Sequence, residues 1–159
     1  MNSRDVVKLL VSIVLCEGAG GVGSIFTVGA IPTWYARLEK PPLTPPNSIF
    51  GPVWITLYLL MGIALFLVWR RGLKEPGVMP AFTVFWVQLA VNVVWSVVFF
   101  GFRYVAGGLV TIAILWLLIL FTIILFFRVS KPAGGILIPY LVWVSVATYL
   151  NAGVWMLNS

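Results

Sequence analysis

Five long, nearly uncharged apolar runs dominate this chain, at about residues 6–28, 47–69, 79–100, 104–127 and 133–156. A helix needs about 20 apolar residues to cross the hydrocarbon core of a bilayer. Membrane barrels instead use short strands in which apolar and polar residues alternate, and these runs do not alternate. The sequence therefore predicts an all-α membrane protein, a five transmembrane helix bundle that forms a single domain over residues 1–159.

The charge distribution identifies the lipid bilayer, and not nucleic acid, as the expected partner. Only 9% of the residues are charged, whereas soluble domains carry about 25%. The net charge of +6 comes from lysines and arginines that stand singly or in pairs between the apolar runs. Such spacing is typical of membrane loops and differs from a basic nucleic-acid stripe. The first run lacks a clear cleavage site, so we expect a permanent helix there.

The basic residues also predict an orientation, because they are retained on the cytoplasmic side. With the N-terminus inside, that side holds seven of them, Arg4, Lys8, Arg70, Arg71, Lys74, Arg128 and Lys131, and the other side holds Arg37, Lys40 and Arg103. This count favours an N-in, C-out arrangement. It applies to a prokaryotic cell membrane, which we favour over a mitochondrial outer membrane.

The first connection is the only long one and reads GAIPTWYARLEKPPLTPP over residues 29–46. Its five prolines exclude a continuous helix. Trp34 and Tyr35 fit an interfacial aromatic belt. A loop of this length is often functional, so it is either a lid over the mouth of the bundle or a connector with interface anchors.

Three runs each place aromatic rings and hydrogen-bonding or small residues on one helical face. These faces comprise Phe50, Trp54, Tyr58 and Met61 in the second run, Gln88, Asn92, Trp95 and Phe99 in the third, and Tyr140, Trp143, Ala147 and Asn151 in the fifth. Polar residues in a membrane usually face the bundle interior. The faces predict either a cavity for a flat apolar ligand or interhelical packing with polar contacts.

Two features of the first run have open interpretations. Glu17 is the one ionisable residue well inside a predicted span, so it is either a proton or ligand site or a hydrated group near the interface. The small-residue pairs Ala19/Gly23 and Gly20/Ser24 permit close helix approach. They serve either a homodimer or packing within the chain.

Catalytic chemistry has few candidates here. The chain has no histidine and a single cysteine, Cys16, which excludes a proximal histidine for haem, His-based catalysis, a multi-Cys metal site and an internal disulfide. We expect no metal and no required cofactor. A tryptophan-mediated redox or photochemical step on a bound chromophore is the reaction that remains open.

Three blocks of sequence resemble the TspO/MBR family, the tryptophan-rich sensory and translocator proteins that include the peripheral benzodiazepine receptor. They are WYARLEKPPLTPPNSIFGPVWITLYLLMG (34–62), QLAVNVVWSVVFFG (88–101) and PYLVWVSVATYLN (139–151). The resemblance implies five packed helices, often dimeric, that bind porphyrins, cholesterol or steroids and benzodiazepine-type ligands. It places ligand residues at Trp54, Asn92, Trp95, Trp143, Ala147 and Leu150, and implicates Trp54 and Trp143 in light-dependent porphyrin degradation.

The helical faces, the long loop and the resemblance together give eleven candidate ligand-binding residues: Trp34, Trp54, Tyr58, Gln88, Asn92, Trp95, Tyr140, Trp143, Ala147, Leu150 and Asn151. The mammalian cholesterol motif is absent, because no Lys or Arg follows Tyr149. The expected function is a membrane receptor or sensor for a porphyrin. The alternatives are a transporter of porphyrin or cholesterol, which the absence of internal repeats disfavours, and a light-dependent porphyrin-degrading enzyme.

Overall fold

The computed structural model describes residues 1–159 as six α-helices without a β-strand. The helices are α1 (Ser3–Thr27), α2 (Asn47–Trp69), α3 (Val78–Ser96), α4 (Val105–Val129), α5 (Lys131–Ile136) and α6 (Ile138–Asn158). They form five spans that are long and apolar enough to cross a membrane, at 3–27, 47–69, 78–101, 105–129 and 131–158. The prediction of a five-helix membrane bundle is confirmed, and the protein is an integral, multi-pass membrane protein.

The fifth span differs from the continuous helix that we predicted. It consists of α5 and α6, which meet at Leu137. Pro139 occupies the first turn of α6, and a proline there has no N–H to continue the hydrogen-bond ladder of a preceding helix. Two consecutive helices therefore take the place of one.

The third span ends in a π-helical turn over Val97–Gly101, closed by a 2.8 Å hydrogen bond from the Phe102 N–H to the Val97 carbonyl. A π turn is wider than an α turn and is found frequently at functional sites. It places Phe99 in the protein interior and leaves the adjacent Phe100 half-buried. The periodicity of the sequence gave no indication of this turn.

The outer surface of the bundle is apolar, as a lipid-facing surface must be. On α4, Val110, Ile114, Leu117 and Phe121 are all exposed, and their spacing places them on one face of that helix. A cluster of 25 buried apolar residues, drawn from all six helices, fills the interior.

Helices α1 and α2 approach closely because glycines stand at their contacts. A Cβ atom added at Gly62 would lie 2.7 Å from the Ile13 Cα atom, and one added at Gly20 would lie 2.5 Å from the Tyr58 ring. Gly23 faces Ser96 of α3. The small-residue pairs of α1 therefore contribute to packing within the chain, and homodimer formation stays a prediction.

We expect Gly62→Ala to destabilise the bundle by about 1–3 kcal/mol, because the new methyl group would press against the α1 backbone. Thermal or denaturant unfolding of the purified protein in detergent measures this. The matched control is Gly18→Ala, since no atom lies within 4 Å of a Cβ at Gly18. Equal stability of the two variants would contradict the close α1–α2 contact.

Candidate functional site

A cavity of about 410 Å³ lies between the helices, in the half of the bundle next to the long loop. Its walls come from α1, α2, α3 with its π turn, and α6, and from loop residues Ile31 and Tyr35. Small-molecule sites in proteins typically measure about 300–1,000 Å³ and have mostly apolar walls with few polar groups. This cavity has the size and composition of such a site.

Aromatic rings from three helices line the cavity and contact one another. The Trp95 ring stacks on Phe99 with centroids 5.7 Å apart, and its centroid lies 6.2 Å from that of Trp54. Phe50 and Trp143 also line the cavity, and they pack edge-to-face with ring centroids 5.8 Å apart. Offset-stacked and edge-to-face pairs are favourable ring arrangements. The cavity therefore presents broad aromatic faces that suit a flat apolar ligand.

A chain of buried hydrogen bonds supports the cavity from behind. The Tyr58 hydroxyl donates to Asn92 Oδ1 (2.8 Å), Asn92 Nδ2 donates to the Tyr140 hydroxyl oxygen (2.6 Å), and the Tyr140 hydroxyl donates to Gln88 Oε1 (2.9 Å). These bonds join α2, α3 and α6. Because hydrocarbon offers no alternative partners to these groups, the chain of bonds fixes the relative positions of the three helices.

A second set of hydrogen bonds orients Trp95. Its indole Nε1 donates to Asn151 Oδ1 (3.1 Å), and Asn151 Nδ2 donates to the Val105 carbonyl at the start of α4 (3.0 Å). Trp143 differs, since its buried Nε1 has no acceptor within the chain. Buried N–H groups without a partner are uncommon. The Trp143 ring lines the cavity, while its Nε1 atom is buried behind the cavity surface.

The long loop covers the end of the cavity through Tyr35, which lies in a short 3₁₀ turn, Tyr35–Arg37. The Tyr35 side chain is only 4% exposed and packs edge-to-face on Phe50 and Phe99. Burial raises the pKa of its phenol, so the hydroxyl stays neutral. Trp34 lies outside the cavity wall and packs on Phe99 from the loop side, at 5.5 Å.

Helix α6 holds the far half of this loop. The Glu39 N–H donates to Asn158 Oδ1 (3.0 Å), and Asn158 Nδ2 donates back to the Glu39 carbonyl (2.8 Å). The Tyr149 hydroxyl donates to the Pro42 carbonyl (2.8 Å), and Pro41 rests directly on Gly153. These contacts fasten residues 39–42 of the loop to α6, and the action of the loop as a lid stays a prediction.

The eleven candidate residues fall into two groups. Seven line the cavity: Trp54, Tyr58, Trp95, Trp143, Ala147, Leu150 and Asn151. The other four, Trp34, Gln88, Asn92 and Tyr140, lie outside its wall. The last three of these belong to the buried hydrogen-bond chain and position residues that do line the cavity. Ligand binding by any of the eleven stays a prediction.

Helix α1 supplies a cavity wall that the sequence analysis did not assign. Gly20, Gly21, Gly23, Ser24 and Glu17 all line the cavity. Small side chains on α1 allow close packing where a neighbouring helix makes contact. Elsewhere on the same helix they leave open space that becomes part of the cavity. The small residues recur at intervals of three and four along α1, beside the aromatic face of α2. This periodicity could have predicted the α1 wall.

The cavity reaches the surface between α1 and α2. Of its lining residues, Gly21 and Val28 on the α1 side and Gly51 and Ile55 on α2 are exposed. A Cβ atom added at Gly21 or Gly51 would have no neighbouring atom within 4 Å. A ligand in the bilayer can therefore approach from the side.

No group of three or more His, Cys, Asp or Glu side chains is placed to hold a metal ion.

Taken together, these features define a helical membrane protein with an aromatic cavity between its helices. Comparison with known proteins gives the family. A sequence model of the TspO/MBR family matches residues 12–156, and the chain belongs to this family.

Three relatives illustrate the similarity. The tryptophan-rich protein TspO of Chlorobaculum tepidum is 42% identical over 156 residues, which cover 98% of this chain and 99% of the relative. The human translocator protein is 40% identical over 139 residues, 86% of this chain and 82% of the relative. A tryptophan-rich sensory protein of Cereibacter sphaeroides is 37% identical over 139 residues, 86% and 85% of the two chains. The bacterial relatives agree with a prokaryotic membrane location.

We expect Tyr140→Phe to lower the stability of the bundle by about 1–3 kcal/mol, because it leaves Asn92 Nδ2 and Gln88 Oε1 buried without a partner. Unfolding in detergent measures the effect. Tyr104→Phe is the control, since Tyr104 is 60% exposed. A loss of stability no larger than that of the control would show that the hydrogen-bond chain does not hold the helices.

We expect Asn158→Ala to loosen the lid and to accelerate tryptic cleavage after Arg37 about fivefold, the effect of losing roughly 1 kcal/mol of local hydrogen bonding. Mass spectrometry of timed digests measures the rate, with cleavage after Arg103 as the internal reference. Asn47→Ala is the matched control, because the Asn47 side chain is exposed at the start of α2. An unchanged rate in Asn158→Ala would exclude Asn158 as a fastening residue.

Proposed function

We propose that this protein is a membrane receptor or sensor that binds a porphyrin in the aromatic cavity, and that benzodiazepine-type ligands bind at the same place. One observation carries the proposal: Trp54, Trp95 and Trp143, which come from three different helices, line a single cavity. The names of the relatives, a sensory protein and a translocator protein, agree with a role in sensing or moving a small molecule.

Ring stacking is the binding mode that fits these residues. A tetrapyrrole is flat and apolar on both faces, so it can lie against the Trp95 and Phe99 rings. The chain has no histidine, and the proposed mode needs no axial ligand. Metal-free protoporphyrin IX should therefore bind as well as a metalloporphyrin does.

Light-dependent degradation of the bound porphyrin is a second candidate function. Its support is that Trp54 and Trp143, the two tryptophans that the family resemblance implicates, both line the cavity. If it occurs, Trp54→Phe and Trp143→Phe should lose product formation in light while they retain binding in the dark. A receptor alone would form no product under either condition.

The direct test is a titration of purified protein with protoporphyrin IX, in darkness and in light, that follows tryptophan fluorescence and the Soret band. We expect saturable quenching at micromolar ligand. Absence of quenching would contradict the proposal, and product that appears only in light would favour the enzyme. A sterol added as competitor tests whether cholesterol-like molecules share the site.

We expect Ala147→Phe to weaken porphyrin binding at least about tenfold, because the added ring would occupy the cavity. The same titration gives the dissociation constant. Ala113→Phe adds an identical ring at an exposed position on α4 and should bind porphyrin like the wild type. Equal affinities for the two variants would place the porphyrin site elsewhere.

A further inference from the structure

Glu17 is the only charged side chain in the wall of the cavity. It is half-buried on α1 and forms no ion pair or side-chain hydrogen bond within the chain. The adjacent wall positions on its helix, Gly20 and Gly21, carry no side chain that could shield it. A carboxylate in such a setting attracts a cationic or donor group brought next to it, because it has no competing partner within the chain.

A cation lies behind the opposite end of the cavity, outside its wall. There the Lys40 Nζ atom lies 4.7 Å from the centre of the Tyr35 ring, and Tyr35 forms the cavity wall. Glu17 and Val28, which both line the cavity, are eleven residues apart, or about 16 Å along a helix. The cavity is thus a slot with a carboxylate near its inner end and a cation behind the ring at its loop end.

We propose that Glu17 makes the inner end of the cavity a site for a cationic or hydrogen-bond-donating nitrogen, so that the protein selects its ligand by charge as well as by shape. Ligand amines lie towards Glu17, and ligand carboxylates lie towards the loop and Lys40. This inference rests on the proposed function, since it requires the cavity to bind a ligand.

Three ligands with one ring test the proposal. They are protoporphyrin IX, its uncharged dimethyl ester, and its bis(2-aminoethyl) amide, which carries amines in place of the carboxylates. Each is titrated in the dark against wild type, Glu17→Gln and Glu75→Gln. The control variant removes the same charge from an exposed loop residue at the other end of the bundle.

In wild type we expect the amine ligand to bind about fivefold more tightly than the ester, the size of one partly screened ion pair. Glu17→Gln should abolish this preference while it leaves the affinity for the ester unchanged, and Glu75→Gln should keep the preference. Lys40→Gln should weaken binding of the dicarboxylate alone, because that ligand lies in the reversed orientation.

Two results would overturn the charge selection. The first is that the wild-type protein binds the amine ligand no more tightly than the ester. The second is that Glu17→Gln keeps the preference for the amine ligand over the ester. Ester binding to Glu17→Gln also shows that this variant is folded. If wild type fails to bind even the uncharged ester, the cavity is not a porphyrin site, and the proposed function fails together with this inference.

Discussion

The hydrogen-bond chain centred on Tyr140 is the interaction on which the cavity depends. It connects α2, α3 and α6 through Tyr58, Asn92 and Gln88. In water such a chain would compete with solvent, but in hydrocarbon its members have no other partners. It therefore holds the three aromatic faces in one arrangement around the cavity.

Glycine has two opposite effects along α1. At Gly20 the absence of a side chain lets the Tyr58 ring approach, while at Gly21 the same absence leaves open space. The first effect stabilises the bundle through close packing, and the second creates the wall and the lateral opening of the cavity. One run of small residues thus tightens the helix pair and leaves space beside it for a ligand.

The lid combines a rigid contact with a releasable one. Tyr35 is buried among Phe50, Phe99 and Phe100. Residues 39–42 are held to α6 by exposed hydrogen bonds and by one buried side chain, that of Pro41, which packs on Gly153. Local opening of proteins occurs where backbone hydrogen bonds are exposed and apolar contacts are few. The part of the lid near α6 should therefore open first, and the aromatic seal at Tyr35 should open last.

The sequence by itself determined the five spans and the inward faces of three of them, because apolar length and helical periodicity are local properties. It also predicted that Trp54, Trp95 and Trp143 line a cavity. Only the tertiary structure decided that Gln88, Asn92 and Tyr140 lie behind the cavity, that α1 forms a wall, and that Glu17 faces into it. The depth of a side chain along an inward face depends on how the neighbouring helices pack, and helical periodicity contains no information about that depth.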